Sequence, residues 1–346
     1  MGRARLVPEL CRWPGDLAAN RLHPSRGPFV HRQQARLLRR YRAVRALQAA
    51  GWSCPPLPLM SSLRGLTGLV PLDQTTQAAA RGLLQQLNRE ALSRLEQSLN
   101  AQSSHRSVVL PVIVSCRHRL DRARLAQEAF AKEMQPGLLR PLIVVGQERQ
   151  ADWSMRFDAE RHLLTISVDD AYEGLPAKVI TLVALLALLP EPPQLLKLDD
   201  DARPGDLQQL VQLAATLDQP TPIAAGYPIV TPTPLHLDRA WHLGKSRRAN
   251  HRLFCSLGAR EWLSGGAGYL LNAPATRLIQ GFWLHTWDFV SSMLYEDVCL
   301  SMLLQAGDAH FHWLQHPADL GLFSERQQEV DEGQWSIPDG FLGSSR

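Results

Sequence analysis

The chain has 346 residues, 45% of them hydrophobic and nine of them tryptophan, which is enough to bury one large core or two ordinary ones. Its five cysteines are an odd number, and no two lie at a CxxC spacing, so a disulfide framework or a zinc site is not expected and a reducing compartment is favoured. The first 30 residues show no secretory signal, and the longest apolar run, 179–190, is too short to span a bilayer. We therefore expect a cytoplasmic protein, at most peripheral to a membrane.

The charge is distributed unevenly along the chain. Residues 1–105 contain 15 of the 37 Lys and Arg residues but only 5 of the 33 Asp and Glu residues, whereas the remainder is mildly acidic. Helices are predicted at 31–50 and 74–101. We expect three parts: a basic helical N-terminal extension (1–105), a main α/β domain (106–325) and a C-terminal tail (326–346). The arginine-faced helix could bind an anionic membrane surface or nucleic acid. Because no recognised nucleic-acid-binding motif is present, no nucleic acid is expected, and a helical cap or a dimer contact is the preferred interpretation.

The central part of the chain alternates between strand and helix patterns. This alternation predicts an α/β fold with a mostly parallel sheet flanked by helices. In such sheets, ligands bind at the carboxyl ends of the strands. Asp121 is a candidate N-cap for the first of these helices. The predicted strands are 108–115, 140–147, 163–168 and 194–198, and the predicted helices are 121–134 and 175–189.

Three consecutive aspartates follow the last of these strands in the segment LLKLDDDARPGD. At ~6 Å and an effective dielectric constant of ~20, each pair of like charges costs roughly 3 kcal/mol. A divalent cation such as Mg²⁺ or Mn²⁺ would offset that cost. Because strand side chains alternate, Asp199 and Asp201 could share a face with Asp200 turned away. A solvated acidic turn that ends at the Pro-Gly pair is the alternative.

Two further segments carry candidate chemistry. SGGAGYLLN (264–272) holds three glycines in four residues and is either a phosphate cradle or a flexible turn before a strand. YEDVCLSMLLQAG (295–307) predicts an amphipathic helix that begins with Glu296 and Asp297. These acids are either ordinary partners of the helix dipole or include a general base.

The histidines and one basic loop complete the candidates. HFHWLQHP predicts a strand with His310, His312 and His316 on one face, and one of these imidazoles could complete a metal site. GKSRRANHR (244–252), with Lys245, is either a lid over bound phosphates or a solvated loop.

Taken in this order, the segments resemble the β-1,3-galactosyltransferase and Fringe-type glycosyltransferases. The likeness covers residues 108–320. It rests on LLKLDDD, on DAYEGLPAK (Asp170, Tyr172, Leu175, Lys178), on GAGY (Gly266, Gly268, Tyr269) and on Glu296-Asp297-Val298.

This resemblance implies a GT-A fold, an inverting mechanism, a UDP-sugar donor and a divalent cation, usually Mn²⁺ with Mg²⁺ as the alternative. The acceptor would be a glycan or another hydroxyl compound, and the sugar galactose or an N-acetylhexosamine in β-1,3 linkage. A non-catalytic module that binds a glycan or a nucleotide on the same fold is the alternative. It would be favoured if Asp201, Asp297 and His316 did not converge on one cleft.

The resemblance also assigns roles to particular residues. Asp297 would be the catalytic base, with Glu296 beside it. Asp201 would bind the metal, with His316, or else His312, as a further ligand. The donor would be contacted by Asp199, Asp200, Ser115, Val114, Lys178, Gly266 and Gly268, with Lys245 on the basic loop.

Overall fold

The computed structural model describes residues 74–102, 108–147, 153–230, 237–238, 254–255, 261–283, 286, 290 and 293–324. The predicted helix at 31–50, the basic loop with Lys245 and the tail at 326–346 lie outside these residues. Among the helices of the described ranges, none has both the length and the apolarity needed to cross a membrane.

The described strands include one large central sheet. In chain order the strands are β1 (Val109–Val114), β2 (Leu142–Gly146), β3 (Met155–Asp158), β4 (Leu163–Ile166), β5 (Gln194–Asp199), β6 (Ala202–Pro204), β7 (Ile223–Gly226), β8 (Pro228–Val230), β9 (Leu237–Asp238), β10 (Phe254–Cys255), β11 (Glu261–Leu263), β12 (Tyr269–Leu271), β13 (His310–Trp313) and β14 (Leu322–Ser324). The central sheet has the order β13-β7-β12-β5-β1-β2-β4-β3.

Most strands of this sheet are parallel. β1 pairs in parallel with β2 and β5, β2 with β4, and β7 with β13, whereas β3 and β12 run antiparallel to their neighbours. The carboxyl ends of β1, β2, β4, β5, β7 and β13 therefore meet at one edge of the sheet, which we call the carboxyl edge. The prediction of an α/β fold with a mostly parallel sheet is confirmed.

Helices cover both faces of the sheet. They are α1 (Gln74–Asn100), α2 (Leu120–Lys132), α3 (Leu175–Leu186), α4 (Leu207–Leu217), α5 (Ala273–Trp283) and α6 (Glu296–Ala306). α1, α3, α5 and α6 pack on one face, and α2 and α4 pack on the other. In β1, Val112 and Ile113 point to opposite faces and both are fully buried. This is why a parallel strand between two helical layers appears as a continuous apolar run in the sequence.

α1, the first helix of the described residues, belongs to this core. Leu84 and Leu95 are fully buried in the same cluster as the central strands. The helix is kinked at Asn88, whose side chain donates to the carbonyl of Trp153 at 3.1 Å and accepts the N–H of Met155 at 2.7 Å. α1 is thereby tied to β3, while the boundary at residue 105 stays a prediction.

One local prediction is wrong. Asp121 does not cap α2, because the N-cap position is Arg119 and no side chain caps it there. Asp121 lies in the first turn instead. Asp206 does cap a helix, because its carboxylate accepts the N–H groups of Gln208 and Gln209 at the start of α4.

Candidate active site at the carboxyl edge

The three aspartates at the end of β5 differ in exposure and in their partners. Asp199 is 37% exposed and Asp201 is partly exposed, whereas Asp200 is only 4% exposed. Asp200 turns towards the end of β1, where the Ser115 hydroxyl donates to its Oδ2 at 2.7 Å. The run therefore presents two accessible carboxylates and one buried carboxylate.

Cationic side chains offset the repulsion within the run. The Lys197 ammonium lies 2.6 Å from Asp199 Oδ1, and Arg119 Nη2 lies 3.0 Å from Asp200 Oδ1. Arg122 reaches both Asp200 at 3.7 Å and Asp201 at 3.4 Å. Burial raises the pKa of Asp200, and the Ser115 hydrogen bond and the Arg119 charge only partly counteract it.

A second buried ion pair fixes the loops after β1 and β2. The Lys178 ammonium is buried and donates to the Ser115 carbonyl and to Asp170 Oδ1, both at 2.7 Å. Asp170 also accepts the N–H groups of Gly146 at 2.6 Å and Arg117 at 2.7 Å. Lys178 thus holds the strand ends together rather than presenting its charge at the surface. Among the other expected donor contacts, the side chains of Val114 and Ser115 are also buried.

Asp297 has the properties of a general base. It lies in the first turn of α6, is partly buried, and accepts the N–H groups of Gly265 at 3.1 Å and Val298 at 2.8 Å. Burial raises its pKa to about 7, and the neighbouring Glu296 charge adds to the rise, while the two backbone hydrogen bonds and Lys197 oppose it. A carboxylate with a pKa near the ambient pH can take a proton from a hydroxyl during a reaction.

The glycine turn (residues 264–268) is packed against these carboxylates. A Cβ at Gly265 would lie 2.6 Å from Glu296 Oε1 and 3.1 Å from Asp297 Oδ2. Gly268 has a φ of +80° and approaches the Lys197 carbonyl closely. The N–H groups of Gly265, Ala267 and Gly268 all donate within the protein. The turn therefore supports the acids, and these three N–H groups are not directed at a phosphate.

A buried lysine connects the aspartate run to the acids of α6. Lys197 is 1% exposed, and besides Asp199 it donates to Glu296 Oε1 at 2.7 Å and to the Gly265 carbonyl at 2.9 Å. The Tyr269 hydroxyl donates to the second Glu296 oxygen at 2.8 Å. We call Lys197, Asp199, Glu296 and Tyr269 the lysine network.

The three histidines do not share one face. His310 and His312 are exposed on the same side of β13, which lies at the edge of the sheet. His316 lies beyond the strand, where its Nδ1 accepts the Ala318 N–H at 3.1 Å and caps the 3₁₀ helix Pro317–Leu320. The prediction that His316 continues the strand face is wrong, because the chain turns into this helix.

The chemistry of the carboxyl edge suits a divalent cation only in part. Carboxylate oxygens such as those of Asp201 are preferred ligands of Mg²⁺ and Mn²⁺. β14 pairs with β6 and brings the segment after His316 alongside the residues that follow Asp201. However, no group of three or more His, Cys, Asp or Glu side chains in the described part of the chain is arranged to hold a metal. A cation at this edge would therefore have to take most of its ligands from a bound phosphate compound.

The sequence interpretation missed several residues that this site uses. Lys197 was identifiable, because it lies two positions before Asp199 in a strand and so points to the same side. Arg119 and Arg122 lie just after β1, at the edge where ligands were expected. Tyr269 belongs to the GAGY segment but received no role, because its partner Glu296 is distant in the chain and meets it only through the fold.

Comparison with known proteins gives little further guidance. No family model matches the chain, and no curated protein matches it. Among solved structures, the chain is similar to the apo form of mouse xyloside xylosyltransferase 1, at 14% identity and a TM-score of 0.30. That match covers 60% of this chain and 84% of the xylosyltransferase chain. At this TM-score the likeness adds nothing to the argument from the residues.

Proposed function

We propose that the protein is an inverting glycosyltransferase that moves a sugar from a nucleotide-sugar to an acceptor hydroxyl. The observation that carries this proposal is Asp297, a partly buried carboxylate whose pKa is raised to about 7. One buried lysine links its neighbour Glu296 to Asp199 at the end of β5. In an inverting displacement, one carboxylate deprotonates the attacking hydroxyl while the leaving group departs on the opposite side. Asp297 takes this role.

The donor occupies the carboxyl edge beside the aspartate run. Asp199 and Asp201 are the accessible carboxylates there, and the exposed Arg119 and Arg122 are suited to pair with phosphate oxygens. The sequence resemblance favours a UDP-sugar, with galactose or an N-acetylhexosamine as the transferred sugar in β-1,3 linkage.

A divalent cation, Mn²⁺ or Mg²⁺, is part of this proposal. Asp201 would hold it together with the donor phosphates, and the Nε2 atom of His316 or an imidazole nitrogen of His312 would be the further ligand. When bound, the cation neutralises the charge that develops on the departing diphosphate. The protein itself orients the donor through Asp199 and accepts the proton at Asp297, whereas the buried Asp200 would act through Ser115 and Arg119, which it binds.

The test is a binding and turnover screen. UDP-, GDP- and CMP-sugars are added with and without Mn²⁺, and the shift in melting temperature reports binding. Transfer and hydrolysis of the donors that bind are then measured. We expect a UDP-sugar to bind more tightly with Mn²⁺ and to be turned over. Absence of both binding and turnover across the panel would refute the proposal.

Asp297→Asn tests the role of the base. It should abolish transfer while preserving UDP binding, because the amide cannot accept the proton but keeps the shape of the side chain. Glu128→Gln, the same change at an exposed position of α2, is the matched control and should preserve both. Transfer retained by Asp297→Asn would remove this residue from the base role.

A non-catalytic module that binds a nucleotide or a glycan is the second candidate. The observation that favours it is that Asp201, Asp297 and His316 do not form a common ligand cluster among the described residues. Tight UDP binding without turnover of any donor, in the presence of Mn²⁺ and varied hydroxyl acceptors, would support this alternative.

A further inference from the structure

We propose that Lys197 is a positioning residue for the transfer reaction, because its single buried ammonium holds the end of β5, the glycine turn and the first turn of α6 in the arrangement that presents Asp297 to the acceptor. This inference rests on the proposed function and adds a residue to it. Lys197 does not touch the reacting atoms. It acts through the groups that it binds.

All three N–H donors of the Lys197 ammonium are used in hydrogen bonds. A lysine has three N–H donors, and here they reach Asp199 Oδ1 at 2.6 Å, Glu296 Oε1 at 2.7 Å and the Gly265 carbonyl at 2.9 Å. Burial alone would lower the pKa of Lys197, but the charges of Asp199 and Glu296 raise it above its ordinary value. The side chain therefore remains charged and fully engaged at any pH at which the enzyme would work.

Two of these contacts lead directly to Asp297. The backbone of Gly265 binds both residues: its carbonyl accepts a hydrogen bond from Lys197, and its N–H donates to Asp297 Oδ2 at 3.1 Å. Glu296 precedes Asp297 in the first turn of α6, and both of its oxygens are bound, one by Lys197 and the other by Tyr269. Asp297 is thus constrained through the turn that faces it and through its own helix.

Charge also reaches Asp297 from several elements. The charges that shift its pKa are those of Glu296 on α6 and Lys197 on β5. Tyr269 on β12 and Cys299 on α6 feel the charge of Asp297, and burial raises the pKa of both, so they stay neutral. Asp199 on β5 is paired with Lys197. The other charged residues on elements packed against α6 are Lys178 on α3, Arg277 on α5 and Glu261 on β11. Lys197 is the positive charge that opposes the rise in the pKa of Asp297, and Glu296 is the main negative charge that adds to it.

This arrangement gives two substitutions opposite effects. Lys197→Met removes a positive charge and should raise the pKa of Asp297 above about 7, whereas Glu296→Gln removes a negative charge and should lower it. We expect about one pH unit in each direction, since a charge at this range moves a carboxyl pKa by one unit or more. If Lys197 served only to maintain the fold, its loss would admit water and lower the pKa of Asp297 towards its ordinary value.

The experiment measures the pKa of Asp297 directly, by ¹³C NMR titration of the full chain with ¹³C-labelled aspartate. The Asp297 signal is identified by its loss in Asp297→Asn. Lys132→Met, which removes one positive charge at an exposed position of α2, is the control and should leave this pKa unchanged. A rise in Lys197→Met together with a fall in Glu296→Gln supports the inference. If folded Lys197→Met shows an unchanged or a lower pKa for Asp297, the inference is overturned.

A double variant keeps the test valid if Lys197→Met does not fold. Lys197→Met with Glu296→Gln leaves no unpaired charge at Glu296 and should be more stable than Lys197→Met alone. Its Asp297 pKa should exceed that of Glu296→Gln, and an equal or lower value overturns the inference.

The pH profile connects the network to catalysis. The pH at which kcat/KM is half-maximal should move with the NMR pKa in each variant, and an unchanged profile overturns the catalytic role. If the wild-type protein transfers no sugar, the proposed function fails. Opposite movement of the two NMR pKa values would then still support Lys197 as the residue that controls Asp297.

Discussion

Asp297→Asn should change how the stability of the protein depends on pH. The pKa of Asp297 is raised from 3.8 to about 7 in the folded protein. Between these values the folded protein retains a proton that the unfolded chain releases. The free energy of unfolding therefore falls as the pH rises through this window, and the loss is complete above the folded-state pKa. An asparagine has no such proton, so the free energy of unfolding of the variant does not fall for this reason as the pH rises.

The size of the effect follows from the pKa difference. A gap of about three pH units corresponds to about 4 kcal/mol, at about 1.36 kcal/mol per unit. About 3 kcal/mol of this loss falls between pH 5 and pH 8.5, because part of it has already occurred below pH 5. Asparagine can accept a hydrogen bond from only one of the two backbone N–H groups that bind the carboxylate. The loss of the other hydrogen bond destabilises the variant equally at both pH values, so it cancels when the two pH values are compared.

The assay is urea unfolding followed by tryptophan fluorescence at pH 5 and pH 8.5. We expect the stability of Asp297→Asn relative to wild type to improve by about 3 kcal/mol from the lower to the higher pH. Glu128→Gln is again the control for exchanging an exposed carboxylate for an amide. A difference between Asp297→Asn and wild type that stays constant with pH would refute the raised pKa of Asp297, and with it the main support for this residue as the base.

Two further predictions concern backbone geometry and buried hydrogen bonds. Gly268→Ala should destabilise the protein by about 1–2 kcal/mol, because its φ is +80° and the new Cβ would lie 3.0 Å from the Lys197 carbonyl. Gly266→Ala should cost less than about 0.5 kcal/mol, since no described atom lies within 4 Å of a Cβ there; equal urea midpoints for the two variants would contradict this. Asn272→Ala should cost about 3 kcal/mol, because this buried amide donates to three carbonyls and accepts two N–H groups around the start of β7 and α5. Asn100→Ala, at an exposed position, should leave the melting temperature unchanged, and a similar small effect of Asn272→Ala would show that its hydrogen bonds contribute little.

Local patterns in the sequence were sufficient for much of the fold. β1, β2, β5, α2, α3 and α6 were predicted close to their observed bounds, because each is a continuous or periodic apolar run between polar or glycine-rich segments. α5 was not predicted, although Leu278, Ile279, Phe282 and Trp283 follow a helical apolar period. β3 was not predicted because it has only four residues. Short elements of this kind are stabilised by neighbours that are distant in the chain.

The candidate site was also predictable only in part from the sequence. The sequence by itself placed three aspartates directly after a buried strand and two acids at the start of a helix, because strand ends and helix starts are local features. Only the tertiary structure decided which of these acids are buried and which cations neutralise them. β12 runs antiparallel beside β5 and places Tyr269 opposite Lys197, which brings the glycine turn and Glu296 to the same ammonium. The pKa of Asp297 depends on that burial and on the charges of Lys197 and Glu296. Glu296 is its neighbour in the chain, but Lys197 is far from it in the chain and reaches it only through the fold.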